Sequence, residues 1–172
     1  PHRSLTELIA DGAKQFGSDA ALHLEDGRTL SWVQLHQQIC ALSDALAILG
    51  LGRGDRIAIS LPQGSALALS FLAVASYATA APLNPAYLEK DCLFYLEDLN
   101  AKACLVLEGL ESPARLAAHK LGVTVIDVAR GLGGIVEFRV GGHVPNGAAK
   151  PRVVESGDVA LVLHTSGTTS RP

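Results

Sequence analysis

The residues best suited to chemistry stand together in LHTSGTTSRP, Leu163 to Pro172. Thr165, Ser166, Gly167, Thr168 and Thr169 follow one another directly, after the apolar run Val159–Leu163. Such a cluster is equipped to hold an anion. A glycine lets the backbone bend so that successive N–H groups converge on one point. Hydroxyls add donors with little bulk. Hydrogen bonds to a charged group contribute about 1.5–3 kcal/mol each, so three or four would hold a pyrophosphate firmly. The spacing is not G-x-x-x-x-G-K-[ST], because a second glycine and the lysine are missing. On residue types alone, the stretch reads as a polar surface loop or tail, with a phosphate cradle as the alternative.

Other reactive side chains form weaker patterns. His2, His23, His36, His119, His143 and His164 are scattered without metal-ligand spacing. His164 has no acid near it in sequence, which favours packing or hydrogen bonding over catalysis. Asp55 and Asp158 sit where turns enter strands and read as turn caps. Cys40, Cys92 and Cys104 lie in or beside apolar segments, form no C-x-x-C pair, and read as inert buried thiols of a reducing compartment. Arg171 could reach a phosphate or simply be solvated. No catalytic residue and no metal ligand is assigned.

The elements that must position the cluster show in the hydrophobic pattern. Ser4–Phe16 is an amphipathic helix capped by Ser4 or Thr6 and closed by Gly17. AALHL and the strand after Asp26-Gly27 form a hairpin. Trp32, Leu35, Ile39, Leu42, Leu46 and Leu49 make one helical stripe, opened by a Ser31/Gln34 capping box and stopped by Gly50. Trp32 begins that stripe and reads as core. Strands and helices then alternate. GDRIAISL is a strand, followed by an Ala-rich helix, the strand TAAPLN and a helix over Pro85–Leu99. KACLVLE, a helix over Ser112–Leu121, and VTVIDV complete the series. This is the pattern of βαβ units, so the expected class is α/β, a layered, largely parallel sheet with helices on both faces. A glycine-rich connector over about 130–152 carries at most one edge strand, IVEFRV. Val159–Leu163, led by Asp158, reads as a buried strand.

Composition narrows the function classes. The chain has 172 residues, 48% hydrophobic and 18% charged, which is enough for a real core and argues against disorder. A net charge of −3 makes nucleic acid an unsuitable partner. Ile57–Leu88 contains no charged residue, but its Ala-rich part breaks at Ser76, Thr79 and Pro82, so a helix buried on a sheet is expected in place of a membrane span. The chain starts at Pro1 and holds no methionine; its native start is expected to be missing or processed, and no signal peptide is visible.

The motif and four further ordered stretches carry a family resemblance. TSGTTSRP resembles the opening of TSGTTG-x-P-K-G, the signature of the adenylate-forming (AMP-binding) enzymes. TLSWVQL (Thr29–Leu35) is similar to the early L-[ST]-[YW]-x-x-L element, and GLGRGDRIAISLPQG (Gly50–Gly64) resembles the turn, strand and turn that follow. FLAVASYATAAPLNPAY (Phe71–Tyr87) is similar to the helix and P-[LI]-[ND]-P strand exit, and SGDVALVLHTSGTT (Ser156–Thr169) to the strand leading into the loop. HTSGTTSRP and APLNPAY resemble most the branch that includes oxalate–CoA ligases.

The resemblance implies an acyl-CoA synthetase that joins a small carboxylic acid, ATP and coenzyme A, with Mg²⁺ near the ATP. Thr165, Ser166, Gly167, Thr168 and Thr169 would wrap the β- and γ-phosphates. Ser170 departs from the commoner glycine, and the expected lysine after Pro172 is absent. The chain is therefore expected to be an N-terminal α/β portion cut within the phosphate-loop motif and inactive alone. The whole enzyme is expected in the cytoplasm or peroxisome. The competing readings are a non-catalytic nucleotide- or pyrophosphate-binding module and a structural α/β domain with a polar tail.

Overall fold

The computed structural model describes residues 4–148 and 154–164. Its centre is a five-stranded sheet built from β3 (Arg56–Ser60), β4 (Thr79–Pro82), β5 (Ala103–Leu107), β6 (Thr124–Arg130) and β7 (Val136–Arg139), in the spatial order β4-β3-β5-β6-β7. The first four are parallel, and β7 pairs antiparallel with β6. A separate two-stranded hairpin, β1 (Ala20–His23) and β2 (Thr29–Ser31), turns through Asp26-Gly27.

Helices cover both faces of the sheet. Side chains alternate along each strand, so Ile57, Ile59, Ala103, Leu105, Ile126 and Val128 point one way, while Ala58, Cys104 and Val106 point the other. The first set packs against α1 (Leu5–Phe16), α2 (Trp32–Ile48) and α3 (Ser65–Ala75). The second set packs against α4 (Glu89–Asp98) and α5 (Pro113–Leu121). A sheet covered on both faces favours apolar strands, and the central β5 is apolar throughout, whereas β6 and the edge strand β7 carry Asp127, Glu137 and Arg139 at partly exposed positions.

Local chemistry explains the helix limits. The Ser4 hydroxyl accepts from Glu7 N–H while the Glu7 carboxylate accepts from Ser4 N–H; Ser31 and Gln34 make the same reciprocal pair at the start of α2. α3 follows Gly64 and has no cap of its own. The Glu25 carboxylate of the hairpin supplies one, accepting from Ser65 N–H at 2.6 Å and from Ser65 Oγ at 2.7 Å. Only glycine fits before it: φ is +143° at Gly64, and a Cβ there would lie 1.9 Å from Glu25 Oε1. Trp32 is half-buried against Phe16 and Gly12, in keeping with a packing role.

Three expectations are corrected. The helix expected over Pro85–Leu99 begins at Glu89. Asn84 forms a turn first, its Oδ1 accepting from Ala86 N–H and its carbonyl from Tyr87 N–H; the Asp91 carboxylate then accepts from Leu88 N–H. Val159–Leu163 is not a buried strand. It lies along the outer edge of β4, with Val159 61% and Leu163 60% exposed, since only one side of it meets other described residues. Cys40 is exposed, one position off the buried stripe of α2, whereas Cys92 and Cys104 are buried as expected.

Candidate phosphate-loop stem

Thr165, Ser166, Gly167, Thr168 and Thr169 lie outside the described residues, as does Arg171. What can be described is the stem that delivers them. Segment 159–164 runs parallel to β4, with Leu161 beside Ala80. Ala80 N–H donates to the Ala160 carbonyl and Val162 N–H to the Ala80 carbonyl, both at 2.9 Å. Thr79 Oγ1 donates to the Val159 carbonyl at 2.6 Å. The stem thus leaves the sheet at the carboxyl ends of parallel strands, where α/β proteins place their ligands.

Each end of the stem is fastened by side chains distant in sequence. At its start, Arg53 makes a bidentate pair with Glu155, at 2.9 and 3.0 Å, and its Nε donates to Asp158 at 2.9 Å. Asp158 also accepts from Glu155 N–H at 2.7 Å. That backbone bond, and then Arg53, hold the Asp158 carboxyl below its ordinary range. Asp55 similarly accepts from Gly52 N–H at 2.9 Å. Both aspartates shape turns, as their sequence positions suggest.

At the other end, His164 Nε2 lies 2.9 Å from Asp98 Oδ2, at the end of α4. Its ring sits 4.6 Å from that of Tyr95, which stacks on Tyr87 at 5.0 Å. The Tyr95 hydroxyl is raised above its usual pKa, chiefly by its hydrogen bond with Tyr87. Val162 packs into the apolar cluster on this same side of the sheet. His164 therefore takes the packing and hydrogen-bonding role expected of it. Its acid, Asp98, and the Arg53 clamp were missed from sequence, because no local signal pairs residues so far apart.

The rest of the described surface offers little competing chemistry. Among the described residues there is no cluster of three or more His, Cys, Asp or Glu that could hold a metal ion. Burial pushes the Cys104 thiol up to about 12, which keeps it protonated and unreactive. No described helix is long and apolar enough to cross a membrane.

The comparisons with known proteins agree with this architecture. The chain is 35% identical over 176 residues to an oxalate–CoA ligase of Arabidopsis thaliana, covering 98% of this chain and 34% of that protein. It is 34% identical to a probable CoA ligase, CCL9, of Humulus lupulus, covering 98% of this chain and 33% of that one. The chain thus spans about a third of the length of the curated relatives it matches. The crystal structure of a long-chain-fatty-acid–CoA ligase, FadD1, from Archaeoglobus fulgidus has the same fold over 98% of this chain and 35% of its own, with a TM-score of 0.75 at 22% identity. The profile described as AMP-binding enzyme matches residues 9–172, from α1 through the stem and the threonine-rich stretch, and the chain belongs to that family.

Proposed function

We propose that the protein carrying this chain is an ATP-dependent acyl-CoA synthetase, and that Thr165–Thr169 hold the pyrophosphate end of ATP. The observation that carries this reading is the stem. A segment parallel to β4, fastened at Asp158 and His164 and ending at the carboxyl end of the sheet, directly precedes the glycine and hydroxyl residues in sequence. Membership of the AMP-binding family supports ATP as the nucleotide. The names of the oxalate–CoA and other CoA ligase relatives support a small carboxylate and coenzyme A as the other substrates.

The proposed reaction has two transfers. A carboxylate oxygen of the acid attacks the α-phosphorus of ATP; the bond to the bridging oxygen breaks, and pyrophosphate leaves. The thiolate of coenzyme A then attacks the acyl carbon, and AMP departs with the electrons of the C–O bond. In the first transfer, this chain positions the leaving group and stabilises its growing charge. Preorganised N–H and O–H donors act where charge develops, and so lower the barrier more than they tighten ground-state binding. Mg²⁺ is a hard cation that takes oxygen ligands, and the hydroxyls of Thr165, Ser166, Thr168 and Thr169 are oxygen donors of that kind. When bound it would neutralise phosphate charge.

The relatives are about three times as long, so the activity is assigned to the whole protein and not to the 172 residues alone. The test is product analysis of the full-length protein with ATP, coenzyme A and a panel of small carboxylates that includes oxalate. AMP, pyrophosphate and an acyl-CoA thioester are expected for at least one acid. Tight ATP or pyrophosphate binding with no turnover of any acid would favour a non-catalytic nucleotide-binding module. Clear thioester formation by the 172-residue chain alone would contradict the assignment to the whole protein.

A further inference from the structure

On α2, His36, Cys40 and Asp44 follow one another at intervals of four, so they stand on successive turns of one face. His36 Nε2 and Cys40 Sγ lie 3.5 Å apart. That contact is a weak hydrogen bond between an imidazole and a thiol, but its length also suits a metal ion. Zinc binds sulfur at about 2.3 Å and imidazole nitrogen at about 2.0–2.1 Å; at a tetrahedral angle the two donors are then about 3.6 Å apart. The pair already has that separation, and the helix holds it there.

The surroundings favour a cation. The cavity beside the pair, about 170 Å³, is lined by His36, Cys40, Asp44, Ser43, Thr6 and Ser76 among others. It gives an ion room for water ligands. Ser76 is 5% exposed, and its hydroxyl has no partner among the described residues, which points to a polar occupant. Burial, and then the charge of Asp44, push the Cys40 thiol up. A divalent cation reverses the second effect, because it neutralises the thiolate and the carboxylate together. Cys40 and Asp44 are exposed and His36 is half-buried, so solvent reaches the site.

We propose that His36 and Cys40 form a binding site for a borderline-soft divalent cation of the zinc class, with Asp44 supplying negative charge and water completing the coordination. Thiolate and imidazole select zinc or cadmium over magnesium, which prefers oxygen. Binding sends the thiol proton to solvent and uses the lone pair of Nε2. The ring's remaining proton then sits on Nδ1, whichever nitrogen carried it before. No third His, Cys, Asp or Glu among the described residues joins them as a direct ligand, so the ion is exchangeable and not a permanent structural centre. α2 covers the face of the sheet opposite α4, where the stem ends, and the site does not depend on the phosphate-loop reading.

The test is competitive labelling of the folded full-length protein, read residue by residue by peptide mass spectrometry. Iodoacetamide reports Cys40, and diethyl pyrocarbonate reports His36. Zn²⁺ at about ten times its Kd leaves about a tenth of the site empty, so labelling of both residues should slow about tenfold, with one shared midpoint. Mg²⁺ at the same concentration should slow neither. Protection of Cys40 without His36, equal protection by Mg²⁺, or no protection by Zn²⁺ overturns the proposal. His36→Ala keeps the thiol and suits a helix, and it should weaken zinc protection of Cys40 about tenfold or more. Unchanged protection in that variant shows a thiol acting alone and overturns the pairing. Slow labelling of the buried Cys92 and Cys104 confirms that the variant is folded, and the wild-type result at His36 decides the question without any variant.

Discussion

Thr79 Oγ1 donates to the Val159 carbonyl at 2.6 Å, and this bond, with its Thr79 end buried, ties the stem of the candidate loop to the outermost strand of the sheet. It matters because the stem has few other holds on β4, namely two backbone bonds through Ala80. Thr79→Val keeps the side-chain shape and removes the donor. A net loss of about 1 kcal/mol is expected in the local opening free energy of the stem. Faster amide exchange at Val162, with Ile57 and Leu105 unchanged, would locate the loss in the stem. Equal exchange at all three would show that the bond does not govern the stem.

The Arg53 clamp predicts an acid dependence. The folded Asp158 carboxyl is held below its ordinary value of 3.8, first by Glu155 N–H and then by Arg53. A depressed carboxylate contributes stability above its unfolded pKa and loses it as pH falls through the folded value. Protection of the stem amides should therefore be level at neutral pH and decline once pH drops below about 4. Arg53→Gln should weaken protection at neutral pH and flatten that decline. Protection independent of pH down to 2.5 would contradict the account.

The thiols should differ in reactivity. Cys40 is exposed, while Cys92 and Cys104 are buried. An aromatic disulfide reagent at pH 8 should modify one thiol of the folded 172-residue chain, and all three in urea. Cys104→Ser should leave the native count at one, and Cys40→Ser should abolish it. The Cys104 shift also fixes a sign at alkaline pH. Its folded pKa is raised from 9.0 to about 12, so its contribution is complete below the unfolded value and is lost as pH climbs between the two. Cys104→Ala should reduce the alkaline slope of the urea midpoint.

Gly12 fixes the approach of α1 to α2. A Cβ at Gly12 would lie 2.4 Å from Trp32 Cε3, so the indole or the helix must shift. Gly12→Leu is expected to cost about 1–3 kcal/mol through overpacking, despite its better helix propensity. Trp32 is the only tryptophan, so a changed emission maximum reports the shift directly. An unchanged spectrum with unchanged stability would contradict the packing described.

Much of this fold was legible because its signals are local. The α2 stripe, the Ser31/Gln34 box and the Asp26-Gly27 turn each act within a few residues, and the structure contains all three. The helix expected from Pro85 starts only at Glu89, because Asn84 bonds Ala86 and Tyr87 and forms a separate turn first. The apolar run Val159–Leu163 looks the same whether a strand lies inside a sheet or along its edge. Only the pairing with Ala80 distinguishes them. The candidate site divides in the same way. Its threonine-rich stretch stands out by residue type but takes its proposed role only from the family resemblance, while the holds on its stem, Arg53 to Asp158 and Asp98 to His164, join positions that no periodicity relates.

The most direct test of the central claim is carboxylate-dependent exchange of labelled pyrophosphate into ATP by the full-length protein and by a Thr168→Ala/Thr169→Ala variant. Each lost bond to charged phosphate is worth about 1.5–3 kcal/mol, so the variant should lose at least a hundredfold in kcat/KM while keeping the wild-type urea midpoint. Exchange that the variant retains in full, or ATP cleavage by the wild type to ADP and phosphate, would contradict a pyrophosphate-gripping loop at the end of this stem.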